Sequence, residues 1–339
     1  MGGQEIAARR AAPLGAAAAT RARARAGFLF VLLAALGALG GCISLPQSEA
    51  LRASPPTGLP RHVELTQVPF HPQDDFMCGP AALAMVFNAA GVPGTVDSLK
   101  PLVYLPGRKG SLQAEMLGAT RRSGLVAYTP KPELEAVLRE VADGTPAVVL
   151  LNLAFSWFPV WHYAVIVGYD LDSQQVIVRS AQRPRDEWSF SFLEYFWRES
   201  DYWSMLALPP GKVPATARAE DYGAAVAALE RTGHAAAARA SYRALLARWP
   251  DDLVGLIGLG NTDYALGDLA GAEKAFRRAS EAQPGSAVAL NNLAEVLAQR
   301  GRLEEAERAA QAAVALGGPT RGEAEKTLAE IRARRASSR

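Results

Sequence analysis

The chain has 339 residues, of which 49% are hydrophobic and 21% are charged, and it contains two cysteines. This hydrophobic content supports a packed core and excludes an intrinsically disordered chain, and the length fits two domains of ordinary size. The net charge of +2 produces no strong field, so the composition gives no support for a nucleic-acid partner.

The first predicted element is a processing segment. Five arginines between residues 9 and 25 precede the apolar run GFLFVLLAALGALGGC, which ends in small residues. A basic flank before an apolar stretch too short for a permanent membrane helix is typical of a secretory signal peptide. The segment LGGC at Leu39–Cys42 resembles the cleavage box of bacterial lipoproteins. That resemblance implies cleavage before Cys42, attachment of lipid to its thiol and, because no Asp follows, sorting to the outer membrane.

We therefore expect residues 1–42 to be a lipoprotein signal peptide. The mature protein would be lipid-anchored in the cell envelope, on the periplasmic face of the outer membrane. The alternatives are an uncleaved signal anchor and a plain signal peptide in which Cys42 has no role. Residues 43–61 contain four prolines and little apolar periodicity, which predicts a tether between the lipid anchor and the first domain.

A mixed α/β domain is predicted for residues 62–209, and its first motif is QDDFMCGPAAL at Gln73–Leu83. Pro80 and the alanines after it predict a helix over Gly79–Ala90. Cys78 would then precede a helix N-terminus, where unpaired N–H groups and the macrodipole stabilise a thiolate and lower the pKa of the thiol. If lipid occupies the other cysteine, Cys78 has no disulfide partner and is either a reactive thiol or a buried, inert one.

A candidate base for this thiol lies far along the chain. His162 begins the run HYAVIVGYD, which predicts a buried strand, and VIVRSA at residues 176–181 predicts its partner strand. A His at a strand end beside a Cys at a helix start is the arrangement that a thiolate–imidazolium pair requires. The side-chain amide of Gln73 and the backbone N–H of Cys78 are candidate donors to the oxyanion formed when the sulfur attacks a carbonyl.

These segments together resemble a known family. Gln-x4-Cys-Gly-Pro-Ala, followed about 85 residues later by His-Tyr-Ala-Val-Ile-Val-Gly-Tyr-Asp, is similar to the papain-like peptidases that cleave bacteriocin leader peptides after a double glycine. The resemblance covers residues 68–208. It implies an α+β papain-like fold in which Cys78 is the nucleophile, His162 the general base and Gln73 the oxyanion donor.

The residue that orients the His is where this sequence departs from that family. The family places an Asp or Asn on the strand after the hairpin, and here that position falls near Ser180. Ser180 is the predicted orienting residue, with Gln182 and Asp186 as alternatives. A hydroxyl accepts a hydrogen bond more weakly than a carboxylate does, so the departure bears on activity and not on fold.

Other patterns in the domain bear on binding. The run FSWFPVW at residues 155–161 lies just before His162, and it predicts either a wall for substrate or packing in the core. No Cys/His cluster has the spacing of metal ligands, and LPGRKGS lacks the Walker pattern for phosphate. We therefore predict no metal and no cofactor.

The remainder of the chain is predicted to be a linker at residues 210–220 and a repeat array at residues 221–335. Glycines recur at 233, 267 and 301, and alanines at 238, 272 and 306, both with a period of 34. This period resembles that of the tetratricopeptide repeat and predicts three repeats with a C-terminal helix. An ordinary helical bundle with coincident spacing is the alternative. Such arrays bind peptide segments or partner proteins.

The sequence thus favours a membrane-anchored cysteine peptidase that acts on a peptide or protein, with repeats that recruit a partner or the substrate. Two other functions remain open. The middle domain is alternatively a degenerate peptidase fold that only binds peptides, or the chain is a scaffold whose function resides in the repeats.

Overall fold

The structure is a computed structural model that describes residues 44–337. The described residues from Pro46 onwards form one compact unit. The predicted signal peptide and the predicted lipid site at Cys42 lie outside the described residues. No helix among the residues described is long and apolar enough to cross a membrane.

The described chain begins with a helix, α1 (Pro46–Ala53), inside the segment predicted to be a tether. Ser48 and Leu51 on this helix are buried. The carboxylate of Glu194, which is itself fully buried, accepts hydrogen bonds from the backbone N–H groups of Gln47 at 3.0 Å and Ser48 at 2.6 Å. A carboxylate at a helix N-terminus satisfies donors that have no partner within the helix. This part of the predicted tether is therefore bound to the domain.

The first domain is built on a seven-stranded antiparallel sheet with strand order β2-β7-β3-β4-β5-β6, and β1 pairs separately with β4. The strands are β1 (His62–Glu64), β2 (Val126–Tyr128), β3 (Ala147–Asn152), β4 (Trp161–Asp170), β5 (Gln175–Ser180), β6 (Arg183–Ser189) and β7 (Ser204–Leu208). The long central strand β4 is buried from Tyr163 to Tyr169, as the run of β-branched and aromatic residues predicts.

Five further helices pack around the sheet. They are α2 (Cys78–Ala89), α3 (Val96–Val103), α4 (Gln113–Arg122), α5 (Leu134–Ala142) and α6 (Phe190–Trp197). Every residue of α2 from Gly79 to Phe87 is buried, and the helix packs against α3 and β4. On the other side, α1 packs against α5 and α6, which in turn contact β4 and β3.

Beyond β7, all regular secondary structure of the described chain is helical. The helices are α7 (Ala219–Glu230), α8 (Ala235–Arg248), α9 (Leu253–Ala265), α10 (Leu269–Ala282), α11 (Ala287–Gln299), α12 (Leu303–Leu316) and α13 (Arg321–Ser337). The recurring alanines 238, 272 and 306 are fully buried, which lets paired helices cross closely. The recurring glycines 233, 267 and 301 have φ between 78° and 87°, a left-handed conformation that favours glycine in the turn between helices.

The repeats and the first domain share one core. The buried hydrophobic cluster that includes α2 and β4 continues through Tyr222, Val226 and Leu229 of α7. In the predicted linker, the backbone N–H groups of Ala215 and Thr216 donate to Glu140 of α5, which is fully buried. The segment between the domains is therefore held in place by hydrogen bonds.

Candidate active site

Cys78 is the first residue of α2, one residue before the predicted helix start. Met77 is the N-cap residue and makes no side-chain capping bond, so no side chain of the cap competes with the thiol for the N–H groups of the first turn. The helix lies here because its apolar residues pack against β4, the strand that carries His162. The sulfur is close enough to β4 to accept a hydrogen bond from the backbone N–H of Tyr163, the residue after His162.

Burial sets the electrostatics of the thiol. Burial raises the pKa of Cys78 above its usual value, and this effect outweighs the opposing hydrogen bonds from the N–H groups of Tyr163, Gly79 and Cys78 itself. The sequence prediction of a lowered pKa is therefore wrong in direction. A helix N-terminus does favour the anion, but the partly buried sulfur between helix and sheet loses more hydration than the backbone dipoles replace.

His162 lies at the second position of β4, and its Nε2 is 2.8 Å from Oγ of Ser180, a buried residue at the end of β5. Of the three residues predicted as candidates to orient His162, Ser180 is the one that contacts its ring. When its oxygen accepts the Nε2 proton, Nδ1 keeps a free lone pair, which is the tautomer that a general base needs. Burial lowers the pKa of His162 to about 4, so the ring is neutral at physiological pH.

The two alternative orienting residues bind elsewhere. The Nε2 of Gln182 donates to the backbone oxygen of Gln73 at 2.8 Å. A carboxylate oxygen of Asp186 accepts bonds from Arg183 and from the indole of Trp188. Neither side chain is bonded to the imidazole.

Gln73 is buried and tied to the residues that follow Ser180. Its backbone N–H donates to Ala181 O at 3.0 Å, and its Oε1 accepts from Ala181 N–H at 3.2 Å. The amide Nε2 has one long contact, 3.5 Å from the carbonyl oxygen of Tyr163. This weakly engaged donor is the atom that the predicted oxyanion role requires.

The fold thus brings all four predicted residues to neighbouring positions around one end of β4 and β5. His162 and Ser180 are in direct contact, while Gln73 and Cys78 contact the backbone at or next to those residues. Among the described residues, no hydrogen bond joins the Cys78 sulfur to the imidazole. The reaction of this pair stays a prediction.

Sequence reasoning left the role of the aromatic run before His162 open, and the structure places it at the surface. Phe155, Trp157 and Phe158 are 61%, 79% and 72% exposed. The alternative of core packing is wrong for these three residues. All three lie on the segment between β3 and β4.

Comparison with known families gives the class of both domains. Residues 65–203 match the Peptidase_C39 like family, and residues 257–319 match the tetratricopeptide repeat. The chain therefore contains a C39-like peptidase domain followed by tetratricopeptide repeats. These matches confirm the predicted fold class, an α+β papain-like domain with an all-α repeat superhelix.

Solved structures resemble each part separately. A putative C39-like peptidase from Bacillus anthracis is 16% identical over 44% of this chain and 98% of its own, with a TM-score of 0.38. The type III secretion chaperone SycD of Yersinia enterocolitica, in complex with a peptide of the translocator YopD, is 22% identical over 34% of this chain and 93% of its own, with a TM-score of 0.32. Likenesses this low carry no argument about function. No curated protein matches the chain.

The described residues contain no group of three or more His, Cys, Asp or Glu side chains placed to hold a metal ion.

Proposed function

We propose that this protein is a cysteine peptidase, held at a membrane by lipid on Cys42, whose repeats recruit a protein partner or the substrate. The observation that carries the proposal is the gathering of Cys78, His162, Gln73 and Ser180 around one end of β4 and β5. The lipid anchor rests on the LGGC segment alone, and the expected location is the periplasmic face of the outer membrane.

The proposed reaction begins from a neutral pair, because burial raises the pKa of Cys78 and lowers that of His162. Nδ1 of His162 takes the thiol proton as the sulfur attacks the peptide carbonyl. Nε2 of Gln73 and the N–H of Cys78 bind the oxyanion. The imidazolium then protonates the leaving amine, and the neutral ring activates water to hydrolyse the thioester.

A second candidate, a peptide-binding domain without catalysis, is favoured by two observations. Ser180 supplies a hydroxyl where the resembled family has Asp or Asn, so the imidazolium lacks a negative partner. The pKa shifts of both residues also disfavour the ion pair. A thiol that burial keeps protonated reacts slowly unless a base acts on it.

Thiol reactivity separates the two candidates. The alkylation rate of Cys78 by iodoacetamide is to be measured from neutral to alkaline pH in the wild type and in His162→Ala. The peptidase proposal expects faster alkylation of the wild type at neutral pH, since the ring assists removal of the proton. Equal rates favour the binding candidate.

Peptide cleavage is the direct measurement. A chain that begins at Ile43 is incubated with a peptide library, and Cys78→Ser is the matched control. The peptidase proposal expects products from the wild type and none from Cys78→Ser. Intact peptides that bind both proteins with the same affinity support the second candidate and contradict the first.

A further inference from the structure

The segment between β3 and β4 carries an exposed apolar surface without a charge. Residues 153–161 have the sequence LAFSWFPVW, and we call them the aromatic loop. Leu153, Val160 and Trp161 are also 41–49% exposed, in addition to the three aromatic residues at the tip. Contiguous exposed apolar surface of this kind marks a site of interaction with a protein or a membrane.

The aromatic loop is held in a defined shape. Asn152, which is 1% exposed, accepts hydrogen bonds through Oδ1 from the N–H groups of Ala154 at 3.1 Å and Val160 at 3.0 Å. The rings of Phe155 and Trp157 stack with centroids 4.7 Å apart. A buried amide therefore fixes both arms of a loop whose tip displays aromatic rings to solvent.

The start of the described chain is bound to helix α5, which packs against β3 and β4 and leads into β3. Leu134 is the first residue of α5. The side chain of Gln47 binds this helix start, since its Oε1 accepts from Leu134 N–H and its Nε2 donates to Pro132 O at 3.0 Å.

The direction of α1 relates the start of the described chain to the aromatic loop. Gln47 and Ser48 bind Glu194 near the middle of α6, while Arg52 binds Gln174 at the β4–β5 turn, which is the opposite end of the sheet. The N-terminus of α1 therefore points towards the aromatic loop. Only three residues separate Cys42 from Pro46, and they can span no more than about 14 Å.

We propose that the aromatic loop is a second membrane contact, which inserts into the interface of the bilayer that lipid on Cys42 would occupy. This inference rests on the lipid anchor of the proposed function. A bilayer fits the loop because Trp and Phe favour the interfacial region, and because the loop has no charged side chain to pair with a polar partner. With lipid on Cys42, the short chain before α1 would keep the start of α1 near the membrane.

The candidate active site lies at the same end of the sheet. His162 directly follows the aromatic loop in the chain, and Ser180, at the end of β5, contacts His162. Insertion of the loop would place Cys78 close to the lipid headgroups. The substrate class that this geometry selects is polypeptide held at the bilayer surface, in preference to peptides free in solution.

Vesicle binding without lipidation tests the loop by itself. The chain beginning at Ile43 keeps the entire compact unit of residues 46–339 and lacks both Cys42 and the apolar run before it. Its partition onto vesicles of phosphatidylethanolamine and phosphatidylglycerol is measured by co-sedimentation at low and at high salt. We expect binding that high salt does not abolish, since apolar insertion is not screened.

The loop variant is Trp157→Ser with Phe158→Ser, and the matched control is Phe192→Ser with Tyr195→Ser, which removes two exposed aromatic residues of α6. We expect the partition coefficient to fall about tenfold or more in the loop variant and to stay at the parent value in the control. Thermal unfolding confirms that both variants are folded.

Three results would overturn the inference: no binding by the parent chain, equal binding by the loop variant, or an equal loss in the control. If the loop variant binds vesicles as the parent does but binds soluble peptides more weakly, the loop contacts substrate and not the membrane. Failure of the peptidase proposal can be distinguished from failure of the membrane-contact proposal, because thiol alkylation and peptide cleavage are measured without vesicles.

Discussion

Ser180 is the residue that most directly limits the proposed chemistry. Its hydroxyl contacts Nε2 of His162 at 2.8 Å, in the position where a carboxylate or amide is expected from the family resemblance. A hydroxyl can fix the tautomer of the ring, but it gives little stabilisation to the positive charge that the ring acquires when it takes the thiol proton. The low pKa of His162, about 4, is the electrostatic result of burial without a negative partner.

Introducing a carboxylate at this position is expected to increase reactivity. Ser180→Asp places a negative charge next to Nε2, which raises the pKa of His162 and makes it a stronger base. We expect alkylation of Cys78 by iodoacetamide at neutral pH to become about tenfold faster. Ser180→Ala is the control and should show no gain. Equal rates in Ser180→Asp and the wild type would contradict the proposed contact.

The same histidine predicts a pH dependence of stability. In the unfolded chain the ring gains a proton near pH 6.5, but in the folded protein only near pH 4. Between these values the unfolded state binds more protons, so stability that is present above pH 6.5 is lost as the pH falls towards 4.

The variant His162→Gln lacks this titration. Its free energy of unfolding, measured by urea titration from pH 7 to 4, should depend on pH less steeply than that of the wild type. The difference in slope should approach about 1.4 kcal/mol per pH unit within the window. Parallel pH profiles of the two proteins would show that His162 is not held neutral by burial.

At the scale of elements, helix α9 of the repeats has a buried carboxylate at a position that is apolar in the other repeats. Asp263 is 2% exposed and occupies the position that Leu229 and Leu297 fill in the neighbouring repeats, 34 residues away in each direction. Its Oδ1 has no hydrogen-bond partner, and the guanidinium groups of Arg239 and Arg243 are 3.6 Å away. Burial raises the pKa of this carboxyl. The charge is therefore incompletely compensated.

Replacing this carboxylate should stabilise the array. Asp263→Leu has a similar side-chain shape and restores the residue of the other repeats, so we expect the free energy of unfolding to rise by about 1–3 kcal/mol. Asp251→Leu, at an exposed site, is the control, with a change within about 0.5 kcal/mol. Urea unfolding measures both. A loss of stability in Asp263→Leu would mean that the two arginines compensate the charge fully.

At the scale of the whole molecule, the peptidase-like domain and the repeats are one packed body. Tyr128 of β2 and Tyr222 of α7 meet edge to face with centroids 6.4 Å apart, within a shared buried cluster. The intervening segment is fixed by Glu140 through Ala215 and Thr216. A partner bound to the repeats would thus be held in a set position relative to the candidate active site.

This arrangement predicts cooperative unfolding. In Glu140→Gln, the amide NH2 replaces one carboxylate oxygen and faces the backbone N–H donors of Ala215 and Thr216. Because two donors then meet, the free energy of unfolding should fall by about 1–3 kcal/mol. Helix content and exposure of Cys78 should still change at the same urea concentration. Glu133→Gln, at an exposed site on the same helix start, is the control. Separate transitions for the two signals would show that the domains unfold independently.

Local patterns were sufficient to predict much of this fold. Helix α2 and strands β4 and β5 follow from residue types within each segment, and their observed bounds differ from the predicted ones by a few residues. The helical repeats follow from the period of 34 residues. The four candidate site residues could also be selected from sequence, because each lies beside a strong helix or strand pattern.

Features that depend on distant contacts could not be predicted. Helix α1 requires Glu194, which lies 146 residues from Ser48 in the chain. The direction of the Cys78 pKa shift depends on how deeply the helix start is covered by the sheet. Exposure of the aromatic loop follows from its protrusion beyond the strands, which its composition alone would not indicate.

The hydrogen bonds between α1 and Glu194 limit where the chain can be truncated to express the peptidase-like domain alone. A fragment that starts at the family match, residue 65, would remove the helix and leave the buried Glu194 without its backbone donors. Stopping at residue 209 would do the same to Glu140. Each cut would leave a buried carboxylate without its hydrogen-bond donors. A recombinant fragment that folds stably should therefore begin before Pro46 and extend through the first repeat.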